Sequence, residues 1–230
     1  MSVVTLQPTS HGVDELIARS AILVPVPHGF PSPVDLGVSS LELHKQVPHH
    51  LLRLAELFEV FLLALRRALE LDPIFDEGFY DRPPVCGLKA FAAIYAGWGT
   101  SEPFFRTEAW RDLGSRSWDG HVAEFWEPFF QRCDANNLLS QLWTWAAGDI
   151  SDNATFRGDF EAALRAIKAR TIILPAELDR YFPPVDAKYE AEHIPNGECR
   201  VVQSVWGHMA PMNPADAPTI DSALFELLAD

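Results

Sequence analysis

The chain has 230 residues, 48% of them hydrophobic and 22% charged, which is an ordinary composition for one folded domain and not for a disordered polymer. A formal net charge of −14 argues against a nucleic-acid partner, whose phosphates such a surface would repel, and against docking on an anionic membrane face. Cys86, Cys133 and Cys199 are widely spaced, form no metal or redox motif, and in their odd number fit a reducing compartment.

Met1–Ser20 carries Asp14, Glu15 and Arg19 and has no uninterrupted apolar core, so it does not read as a signal peptide. The most apolar run, Val60–Leu65, is far too short to span a bilayer. A cytoplasmic protein with no membrane partner is expected.

Residues 1–49 read as an irregular segment. Ala21–Val24 could be a strand, broken at once by Pro25, Pro27 and Pro31. His28-Gly29 sits where a hydrolase can carry an oxyanion loop, but prolines remove ladder donors and a proline-rich loop is the better reading. His44, His49 and His50 lack a carboxylate or cysteine at ligand spacing, so they predict a solvated helix start and no metal site.

A domain is expected over 50–230. His50–Leu71 gives the strongest helical pattern, with Leu54, Leu57, Phe58, Phe61, Leu62, Leu65 and Leu69 on one side and Asp72-Pro73 ending it. Between 74 and 168, apolar residues recur at three- and four-residue spacing in five segments: Gly87–Trp98, Pro103–Leu113, Trp118–Cys133, Asn137–Ala147 and Arg157–Lys168. Asp134-Ala135-Asn136-Asn137 offers an N-cap to the fourth, and Ser151–Asn153 predicts a turn before the fifth. These short helices are rich in aromatics, and they lie between an opening segment and a terminal unit of a different kind. That layout is a cap or lid over a site as readily as a packed core.

The terminal unit, 169–230, carries the chemistry. Thr171–Leu174 is a β-branched apolar run, as a buried parallel strand would be, and it runs into a loop with Asp179. Arg200–Ser204 predicts a second strand, which leads to Gly207 and His208, and about Val185–His193 predicts the helix between. A closing helix is predicted over 215–228. An acid and a histidine past the ends of parallel strands sit where open α/β sheets place their reacting groups. In a charge-relay triad the acid fixes the imidazole tautomer and the histidine takes the nucleophile's proton. Glu177 is the alternative acid, although Asp179 lies farther out in the loop.

The nucleophile of such a triad belongs on a Gly-x-Ser-x-Gly elbow, upstream of the acid. No two of the 13 glycines are four residues apart. Relaxed Gly-x-Ser occurs at Ser39, after a poor strand, and at Ser101, within the helical stretch and two residues before Pro103; neither has elbow context. The chain therefore predicts an acid and a base without a recognisable nucleophile.

From about residue 53 to 230 the sequence resembles the later part of homoserine O-acetyltransferase-like α/β-hydrolases. The resemblance rests on Val60-Phe61-Leu62, Arg67-Ala68-Leu69, Asp72-Pro73, Gly87-Leu88-Lys89-Ala90-Phe91 and Tyr95-Ala96-Gly97-Trp98-Gly99. It continues through Asp134-Ala135-Asn136-Asn137-Leu138-Leu139, Thr144-Trp145, Gly148-Asp149-Ile150-Ser151, Ala163-Leu164, Ile167-Lys168-Ala169, Asp179-Arg180-Tyr181-Phe182-Pro183-Pro184 and Trp206-Gly207-His208. It implies an α/β-hydrolase-like fold, here an incomplete parallel sheet with a helical cap, and it implies Asp179 as the triad acid and His208 as the base. The implied activity is acyl transfer from acyl-CoA, as co-substrate, to an alcohol, or ester hydrolysis, with no bound cofactor. Family members carry far more chain before the equivalent of residue 53, so a truncated or mis-spliced form, or one that has lost its nucleophile, is expected. The acetyltransferases proper also have an acidic residue directly after the histidine, where this chain has Met209, which argues against homoserine as substrate. The alternative expectation is a non-catalytic interaction protein that pairs with another subunit or forms a homo-oligomer, since a sheet with few strands exposes edges.

Overall fold

A computed structural model of the chain describes the backbone over residues 49–229 and the side chains from residue 57 onward. The Ala21–Val24 strand, the His28-Gly29 loop, Ser39 and the side chains of His44, His49 and His50 lie outside the described residues.

Helix α1, His49–Glu70, follows its apolar spacing. Phe61, Leu62, Leu65 and Leu69 are buried, and they pack on α2, Val85–Gly99, through Leu88, Phe91, Ala92 and Ala96. Leu57, expected on the buried side, is exposed, whereas Phe58 beside it packs against the core. Between the two helices Asp72 is buried, with Oδ2 accepting from Gly87 N at 2.7 Å and Oδ1 from Ile74 N at 2.9 Å. A carboxylate there satisfies donors at the turn and at the start of α2 that burial would otherwise leave unpaired.

The stretch expected as one helix over 103–113 is broken. It forms α3, Glu102–Arg106, and then a 3-10 turn, Ala109–Leu113. Glu108 between them is left-handed at φ 57°. The bend lets Phe104 and Trp110 join one buried cluster with Trp206 from the far end of the chain.

The stretch expected as one helix over 118–133 is continuous but irregular. It runs as α4, Trp118–His121, a π-helical turn, Val122–Trp126, and α5, Glu127–Phe130. Glu127 N bonds Val122 O five residues back, just before Pro128, which has no N–H to continue an α-helical ladder. Helix α6, Ala135–Ala147, starts two residues before the Asn137 expected, with Asp134 Oδ1 accepting from Asn137 N at 2.9 Å as its N-cap. Helix α7 is confined to Phe160–Arg165, since Arg157 and Gly158 are left-handed and Asp159 caps the first turn.

The described sheet has two parallel strands, β1 (Thr171–Ile173) and β2 (Gly197–Cys199), joined through helix α8, Pro184–His193. The second strand lies earlier than the Arg200–Ser204 expected. Pairing nevertheless continues past both strands, through Arg200 N to Ile173 O, Val202 N to Pro175 O and Glu177 N to Val202 O, each 2.9 Å. This run carries the Asp179 loop and the His208 loop out on the same end of the pair. Leu164, Ile173, Ala187, Ala191 and Ile194 form a separate core over the sheet. Helix α9, Ala217–Leu228, closes the chain. No described helix is long and apolar enough to cross a membrane.

Candidate active site

Asp179 follows β1 in a tight loop in which its own N–H bonds Ala176 O at 3.1 Å. Its carboxylate is nearly buried and has two separate duties. Oδ1 accepts from the backbone N–H groups of Tyr181, at 2.8 Å, and Phe182, at 3.1 Å. Oδ2 is 3.0 Å from His208 Nδ1. The backbone donors fix the carboxylate plane, and the free oxygen is aimed at the imidazole. Glu177, the alternative acid, is exposed.

His208 sits on the short 3-10 helix Gly207–Met212. Its ring is wedged between aromatics, with the Tyr181 ring edge-on at 4.7 Å and Phe182 at 5.5 Å between centroids. With Asp179 as acceptor, the proton rests on Nδ1 and Nε2 presents its lone pair. Among the described residues Nε2 has no hydrogen-bond partner. The arrangement can therefore accept a proton at Nε2 and stabilise the resulting imidazolium through the ion pair with Asp179.

Aromatic side chains from the helices extend behind the pair. Tyr181 lies 5.1 Å from Phe61, 5.6 Å from Tyr95, 5.9 Å from Trp145 and 6.2 Å from Trp98, ring to ring. Burial, with the Asp179 charge acting in the same direction, pushes the Tyr95 phenol up to about 12 and raises that of Tyr181 further above its ordinary value. Both stay neutral. Sequence reasoning gave Tyr181 and Phe182 no role. Their signal was positional, since the two residues that follow an acid by two and three places are the ones whose N–H groups can hold it.

Ser101, weighed as a nucleophile, is only 2% exposed, and its hydroxyl is committed elsewhere. It donates to Val205 O and accepts from Phe104 N at 3.1 Å, as the N-cap of α3. It forms no bond to His208. A further histidine, His121, is buried in the helical region and accepts from Trp126 Nε1 at 3.2 Å on Nε2. Burial lowers its pKa, and it stays neutral as a packing group. No group of described side chains is arranged to hold a metal ion.

A parallel βαβ unit that ends in a hydrogen-bonded aspartate and histidine, with helices packed beside it, is the terminal part of an α/β-hydrolase. The comparisons agree. The chain is 34% identical over 202 residues to a probable esterase of Corynebacterium glutamicum, which covers 86% of this chain and 55% of that protein. It is 32% identical over 84 residues to a homoserine O-acetyltransferase of Clavibacter michiganensis subsp. michiganensis, 35% of this chain and 21% of that one. The crystal structure of an acetylester hydrolase from Corynebacterium glutamicum matches 74% of this chain and 50% of its own, at 35% identity and a TM-score of 0.71. No family model matches. The chain belongs to the α/β-hydrolase family, in the group that holds these esterases and the homoserine O-acetyltransferases. It spans about half the length of the esterase relatives it matches.

Proposed function

We propose that this chain carries the acid and the base of an ester-cleaving or acyl-transferring site, Asp179 and His208, without the serine that would complete it. The observation that carries the reading is the 3.0 Å bond from His208 Nδ1 to a carboxylate whose other oxygen is held by two backbone N–H groups. In a complete site His208 would take the proton of an attacking hydroxyl at Nε2 and return it to the leaving alcohol, with Asp179 holding the ring throughout. Support for the missing nucleophile comes from the glycine spacing and from the engagement of Ser101 in other bonds.

Around the base the side chains are apolar: Tyr181 and Phe182 against the ring, and Met209 packed toward Phe104, Trp110 and Trp206. That surrounding fits a small ester with an apolar alcohol better than a zwitterionic amino-acid alcohol, whose ammonium group wants a carboxylate next to the histidine. The purified chain is expected to hydrolyse 4-nitrophenyl acetate no faster than its His208→Ala variant. Turnover that disappears in His208→Ala would overturn the reading of a site without a nucleophile.

A further inference from the structure

Three residues before His208 the chain becomes tied to the helical region. Ser101 Oγ, at the α2–α3 junction, donates to the carbonyl of Val205, a bond spanning 104 positions of sequence. Two residues later Gly207 adopts φ +60°, and its Cα passes so close to the same junction that a Cβ would lie 3.2 Å from Ser101 N, 3.4 Å from Thr100 C and 3.1 Å from Leu178 O. Trp206 between them packs edge-on against Phe104, the residue whose N–H bonds Ser101 Oγ, with ring centroids 5.5 Å apart. On the other side Ser204 Oγ accepts from Trp206 N at 3.1 Å and donates to Asp216 Oδ2 at 2.5 Å, and Asn213 Nδ2 donates to the same oxygen at 2.8 Å.

We infer that Ser101 is a positioning residue for His208, a latch by which the helical region sets where the imidazole stands. The inference rests on the reading of Asp179 and His208 as acid and base. The acid is fixed by its own loop, through Tyr181 N and Phe182 N. The histidine loop is held on one side by Ser204, Asn213 and Asp216, and on the other its Val205 carbonyl and its glycine both meet the Thr100–Ser101 backbone and side chain. On this view the junction of α2 and α3 is part of the mounting of the base, and it does not swing away as a lid would.

The test is the protonation pattern of the His208 ring, read from long-range nitrogen–proton correlations on histidine-labelled chain at mildly alkaline pH and assigned by the signal lost in His208→Gln. The wild type is expected to show a fixed Nδ1–H tautomer. Ser101→Ala should lose it and give tautomer-averaged nitrogen shifts. Thr107→Ala removes an exposed side-chain bond to Pro103 O on the same helix and should keep the fixed tautomer. If Ser101→Ala does not fold, Ser101→Gly serves instead, because glycine preserves most of the capping of α3 while removing the donor to Val205. A fixed tautomer in the Ser101 variant overturns the latch and leaves the acid–base reading standing. The same loss in Thr107→Ala also overturns it, by showing that any weakening of α3 suffices. An averaged tautomer in the wild type overturns the acid–base reading, and the latch with it.

Discussion

Replacing Asp179 with asparagine is expected to move the His208 proton from Nδ1 to Nε2. The two backbone donors, Tyr181 N at 2.8 Å and Phe182 N at 3.1 Å, require an acceptor at the Oδ1 position. Asparagine meets that demand only by placing its carbonyl oxygen there, which turns its amide NH2 toward His208. Nδ1 must then accept, and the ring proton is forced to Nε2. A histidine protonated at Nε2 has no lone pair left to receive a proton from a nucleophile. In enzymes that use this arrangement such an exchange lowers turnover by about 10⁴ while leaving the geometry intact. The nitrogen shifts of His208 report the change directly, with or without turnover. An Nδ1–H ring in Asp179→Asn would mean that the carboxylate does not set the tautomer.

The second large effect concerns stability. Phe61 is 1% exposed, and its ring stands 4.6 Å from Trp98, 5.1 Å from Tyr181 and 6.0 Å from Phe58. Truncating it to alanine removes the contact between α1 and the wall behind His208, and leaves a cavity between α1, α2 and the acid loop. Phe61→Ala is expected to lower the unfolding free energy by about 3–5 kcal/mol. Val60→Ala, next to it but 62% exposed, should change it by no more than about 0.5 kcal/mol. Urea midpoints compared at equal slope measure both. Equal losses at the two positions would show that α1 is not anchored through this ring.

Much of the architecture is legible in the residues, for identifiable reasons. Helix α1 shows itself because Phe61, Leu62, Leu65 and Leu69 repeat at helical spacing while charged residues hold the other side. Asp134 accepts from Asn137 N and Asp72 from Ile74 N, each within a turn of its own position, so local chemistry decides these two ends. Asp179 and His208 are found because a strand end is a strong positional cue, and the structure brings them to hydrogen-bond distance. What the sequence hides is decided by distant partners. The left-handed Glu108 makes sense only with Trp110 against Trp206, nearly a hundred residues on. The π-helical turn depends on Pro128, whose missing N–H is visible, but a kink or a stop would answer it as well. Strand β2 reads poorly because Gly-Glu-Cys has low strand preference; Gly197 is there because a Cβ would meet Ala191 O at 2.7 Å. The same limit applies to Ser101. Its Gly-x-Ser context draws attention to it as a nucleophile, whereas its partner is a carbonyl 104 residues away.

The central proposal is that Asp179 and His208 act as acid and base at an acyl-transfer site and that no serine of this chain serves them as nucleophile. Intact mass of the folded chain after exposure to a fluorophosphonate, which labels only a serine activated by a neighbouring base, tests it most directly. An unmodified mass is predicted, the same as that of His208→Ala treated alongside. One stoichiometric adduct on a single serine, present in the wild type and absent in His208→Ala, would contradict the claim and identify the nucleophile.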